Sequence, residues 1–153
     1  MAVPISFPST TSNFALPLLF AGQAQKEFFI NESLTLVDAL LRKTVEESTH
    51  TPPVEHEEGS CFRVIGTASG AWLGQEGKLA ISVGGSWQFI DPKIGMSVFD
   101  AGAGVFLHYN GVWESPVEPT QASGGATVDA EARQMLVELV EALQKMGIFA
   151  DSP

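Results

Sequence analysis

Trp72, Trp87, Tyr109 and Trp113 are the side chains of this sequence best equipped to hold a ligand. An aromatic face on a β scaffold can stack on a sugar ring, so these four form a candidate glycan surface. Their spacing carries a second reading. Each tryptophan ends a Gly-x-Trp unit, and one residue type repeated at one place in successive hairpins is also what core or inter-hairpin packing requires. Acid chemistry has weaker candidates. Glu76, Asp91, Asp100 and Glu114 fall at expected turns or strand ends, where carboxylates are usually solvated. A small hydrolase or glycan-processing accessory would need two of them about 5–10 Å apart in a cleft.

Other reactive types are sparse. His50 and His56 flank Pro52 and Pro53 in an acidic stretch without the rigid spacing that converges metal ligands, and His108 alternates with Leu107 and Tyr109 in an expected strand. Cys61 is the only cysteine, which excludes an intrachain disulfide and a cysteine zinc site, and it reads as a small buried hydrophobe. No Gly-x-Ser-x-Gly elbow, P-loop or zinc-protease helix is present. Asp100–Gly104 holds two glycines but no following helix to cradle a phosphate. The expectation is a non-catalytic protein with no catalytic residue, metal or cofactor.

Charge narrows the partners. The net charge of −10 disfavours nucleic acid and anionic membranes, which need clustered Lys and Arg. Residues 44–60 hold five acids and no base, and read as a solvated linker. The apolar run Phe14–Ala21 contains Pro17, is too short to span a bilayer and lacks a basic leader. Cytoplasmic synthesis without membrane insertion is expected.

The elements that must position these groups follow from periodicity. Residues 1–13, rich in Pro, Ser and Thr, read as an extended arm. Asn31 suits an N-cap, and Leu34, Val37, Leu40 and Leu41 share one face of a helix at about 32–46, with a short helical turn at about 22–28 before it. Thirteen of the fifteen glycines lie between Gly59 and Gly125. Within that stretch Leu79–Trp87 aligns with Val105–Trp113 at an offset of 26, each a strand, a turn and a second strand. Gly84-Gly85 and Asn110-Gly111 suit type I′ turns, and Phe62–Ile65 with Gly70–Trp72 forms a shorter relative. The fold class is therefore α+β. A small antiparallel β-hairpin domain (meander, sandwich or open barrel) is flanked by an N-terminal helix and a C-terminal amphipathic helix. One domain spans about 14–115 with hairpins at about 60–115, then a linker at about 116–126.

The last element, at about 127–147, starts at Thr127 and stops at Gly147. Ala132, Leu136, Leu139, Leu143 and Met146 are spaced +4, +3, +4, +3, and Val128, Met135 and Val140 widen that seam. A lone helix of about twenty residues is marginal in water, and burying five such side chains is worth about 1.5–3 kcal/mol each. So the helix must dock. It can fold back on its own β domain or self-associate, the second being favoured by the Gly-rich tether. Met135, Leu136, Leu139, Val140, Leu143 and Met146 would form the contact, and deleting 126–153 should turn an oligomer into a monomer.

The stretch Leu16–Leu40, with Ala21-Gly-Gln-Ala-Gln-Lys26, Asn31-Glu32 and Leu36-x-Asp38-Ala-Leu40 at its heart, resembles an uncharacterised family (domain of unknown function 2793) associated with phages, prophages and gene-transfer-agent particles. The Gly-x-Trp hairpins are similar to that family too, and Val128–Ala150 resembles helices that end several phage structural proteins. The resemblance implies a virion-associated tail, collar or spike component among other virion proteins, and a homo-oligomer with a trimer favoured; the aromatic surface would then meet a cell-surface glycan. It carries over no catalytic residue. Glu27-Phe28-Phe29 departs from its usual polar stretch.

Overall fold

The structure, a computed structural model, describes residues 9–19 and 26–150. The arm's first eight residues and most of the Ala21–Lys26 motif lie outside them, as does most of the helical turn expected at about 22–28. The α+β class holds: the described residues form helix α1 (Lys26–Arg42), eight short strands and helix α2 (Ala130–Lys145).

The strands form two four-stranded sheets. In the first, β1 (Thr44–Val45), β6 (Ser97–Asp100), β7 (Val105–Tyr109) and β8 (Trp113–Glu114) lie side by side. In the second the order is β2 (Ser48–Thr49), β3 (Cys61–Val64), β4 (Leu79–Val83) and β5 (Ser86–Ile90). The hairpins are antiparallel as expected, but each sheet also gains a parallel edge strand, β1 on β6 and β2 on β3. Both edges come from Thr44–Thr49, so the stretch expected to be a linker is a stitch between the sheets. Ser48 Oγ donates to Asp100 Oδ2 and accepts from Arg63 Nε at 2.6 Å, tying β2, β3 and β6 together. Burial lowers the Arg63 pKa, and the Asp100 charge opposes that shift.

The main core lies under α1 and between the sheets, from Ala39, Val45, Cys61, Leu79, Ile81, Val98, Val105 and Leu107. A second cluster covers the other face of β3 and β4, with Phe62, Val64, Ala68, Ala80 and Trp72, the last in a 3-10 turn at Gly70–Trp72. β4 is thus buried on both faces and reads as an apolar run broken only by Ser82. Cys61 sits in the main core, where burial raises its thiol pKa to about 12; the Arg42 charge opposes that shift and Glu46 adds to it.

Three boundary expectations need correction. α1 starts before Asn31, whose side chain bonds both backbone groups of Leu19, accepting at 2.8 Å and donating at 3.0 Å. Residues 9–13 are no simple arm either: Thr10 bridges Pro17, and Asp38 accepts the backbone N–H groups of Asn13 and Phe14 at 2.8 Å each. The cap of α2 is Asp129, not Thr127, since its Oδ1 accepts from Ala132 N at 2.9 Å.

Candidate interaction surface

The repeated tryptophans end in different places, for a local reason. Gly84 and Gly85 both have positive φ and make a two-residue turn, so Trp87 faces Ser82 across the hairpin. The matching loop has three residues, Asn110–Val112, of which Gly111 alone is left-handed, and Trp113 faces Tyr109, one position along from the aligned partner. A one-residue slip moves a side chain to the other face of a strand. Trp87 therefore joins the outer cluster and Trp113 packs on the main core.

Of the four aromatic candidates, Trp72 is fully buried and cannot face a sugar. It packs edge-on to Trp87, with ring centroids 5.1 Å apart, and His56 covers Trp87 at 4.4 Å. Trp113 donates its Nε1–H to Gly77 O at 2.8 Å and lies 5.2 Å from Tyr109. So the four divide between two sheets. Tyr109 and Trp113 remain half-buried neighbours; Trp87 is half-buried elsewhere.

The acid candidates are engaged separately. Glu76 accepts from Ala68 N, Asp91 pairs with Lys78 at 3.2 Å, and buried Asp100 holds Ser48 and Ala103 N. Glu114 lies opposite His108 in the first sheet. No cluster of three or more His, Cys, Asp or Glu able to hold a metal is found among the described residues, and no described helix is long and apolar enough to cross a membrane.

The C-terminal helix is the most open element. No residue of α2 is buried, and Met135, Leu136, Leu139 and Met146 are 48–65% exposed. Val140 and Leu143 are half-buried. Its end is tied to the first sheet. Gly147 has φ +72, its N–H bonds Gln144 O and the N–H of Ile148 bonds Leu143 O, which closes the helix. Gly147 O then accepts from Phe106 N at 2.7 Å, filling the edge of β7 beyond the short β8.

α1 is the feature the spacing misplaced. Its inward residues are Thr35, Leu36, Asp38, Ala39 and Leu40. Val37 and Leu41, expected to face the core, are 47% and 56% exposed, and Ile30 beside them is 45% exposed. The helix is apolar around most of its circumference, so periodicity could not select the buried side. An open groove of about 740 Å³ lies where the two helix ends meet the first sheet. It is floored by Phe99 and Phe106 and rimmed by Arg42, Lys43 and Lys145, three of the chain's eight bases. Arg42 and Lys145 suit the carbonyl ends of their helices.

Residues 30–114 match the family model described as Protein of unknown function (DUF2793), more than half of the 153-residue chain. The chain belongs to that family. The DUF2793 match runs from within α1 to the end of β8 and stops before α2. No curated protein matches the sequence.

Proposed function

We propose that this DUF2793 protein is a non-catalytic assembly module: α2 joins copies of the chain, and the two sheets are displayed by the oligomer. The observation that carries this is α2 itself, an amphipathic helix with a +4, +3, +4, +3 apolar seam and no buried residue in a single chain. A helix of 16 residues with that face in water is marginal, and burying the seam against a partner offsets the deficit. The family resemblance supports a finer role, a tail, collar or spike component of a phage-like particle, oligomeric and attached to other virion proteins.

The test is solution mass by light scattering. Removing residues 126–153 would also strip Gly147 from β7, so the cleaner variant is Leu136→Asp with Leu139→Asp in the full chain. The expected result is an oligomer for the unaltered chain and a folded monomer for the variant. Equal masses count against assembly through α2.

Tyr109 and Trp113 are the remaining candidates for stacking on a host-surface glycan, and Trp87 contributes only if His56 swings away. Repetition of a weak site in an oligomer would raise its avidity. Tryptophan emission should shift when surface oligosaccharides are titrated in. Emission that stays flat across a panel of them removes the glycan from this reading.

A further inference from the structure

We infer that the seat for α2 is the outward face of α1 on a second copy of this chain, with the two helices antiparallel. This rests on the assembly reading and adds to it the acceptor surface and the direction of packing. Ile30, Leu34, Val37 and Leu41 of α1 are spaced +4, +3, +4, the same rhythm as the α2 seam. Leu34 is half-buried and the other three are open, so this stripe, like that of α2, is not covered by the described residues. The helices also match in length, at 17 and 16 residues.

Charge fixes the direction. α1 has Glu27 in its first turn and Glu32 in the second, and ends in Arg42 followed by Lys43. α2 begins with Asp129 and Glu131 and ends in Lys145. Antiparallel packing sets acidic ends against basic ends and opposes the two helix dipoles, whereas parallel packing sets like against like. Lys43 and Lys145 have no ion-pair partner among the described residues, so both are free to take one from another copy. The DUF2793 match covers α1 from Ile30 onward but not α2, consistent with a seat inside the family domain and an appended helix that fills it.

Area separates this arrangement from α2 packing on α2. A half-exposed large apolar side chain still has on the order of 50 Å² to bury. Two α2 seams alone would bury roughly 500 Å² of apolar surface, or about 800 Å² in total, short of the roughly 1,200 Å² of a stable interface. Exchange of α2 for α1 in both directions adds the two α1 stripes and brings the total to about 1,400 Å².

The experiment uses three full-length chains: unaltered, Val37→Asp with Leu41→Asp, and Leu136→Asp with Leu139→Asp. Light scattering should show an oligomer for the first and monomers for each variant. If the α1 variant keeps the unaltered mass, the seat is not α1, although assembly through α2 stands. A monomeric unaltered chain overturns both readings. Should the α1 variant not fold by circular dichroism, chains carrying Val37→Cys and Leu139→Cys are mixed and oxidised. A covalent pair between unlike chains supports the exchange; its absence overturns it.

Discussion

Asp38 is a carboxylate buried in the middle of a helix, yet its pKa lies below the ordinary value. Burial alone would raise it. The bonds from Asn13, Thr11 and Phe14 outweigh that burial and favour the charged form. Because the folded pKa is depressed, the stabilisation is complete above the ordinary value of 3.8 and is lost as pH falls through the lower folded value. Asp38→Asn should cost about 1–3 kcal/mol at neutral pH and flatten the acid side of the stability curve. Denaturant unfolding at a series of pH values checks this, and equal stabilities at neutral pH would refute it. The residues of this clamp were legible only as types. Asp38 stood in the quoted motif, but nothing in its spacing said that it faces Asn13, because the contact spans 25 residues. The tryptophans show the same limit: the offset of 26 is real in sequence, and a single extra loop residue reverses its meaning in space.

Elements were read better where chemistry marks their ends. Gly147 and Lys145 announced the end of α2, and the hairpin glycines announced β4 to β5. α1 carried no such mark, since Asn31, a good cap by type, spends its side chain on Leu19 from inside the helix. The importance of Gly147 goes beyond stopping a helix. A Cβ there would lie 2.8 Å from Phe99 Cε2, on a backbone with φ +72. Gly147→Ala should therefore cost about 1–2 kcal/mol and loosen the joint between α2 and β7. Hydrogen exchange would show a larger loss of protection at the Phe106 amide than at the β3–β4 amides. Equal rates at Phe106 would mean that the joint tolerates a side chain.

At the scale of the molecule, a run of antiparallel hairpins was legible, but not its division into two sheets. Thr44-Val-Glu-Glu-Ser-Thr49 has acidic residues at its centre and no alternating apolar pattern, and its strand pairs are two residues long. Its partners on β6 lie about 55 residues further along the chain, beyond the reach of any local pattern. That placement has a consequence for how the protein comes apart. Val45, wholly shielded from solvent, can gain access to water only when the first sheet lets go, and the same short piece of backbone continues straight into the second. Neither half can then melt by itself. The ends can fray while the middle stays a single cooperative unit, lost all at once.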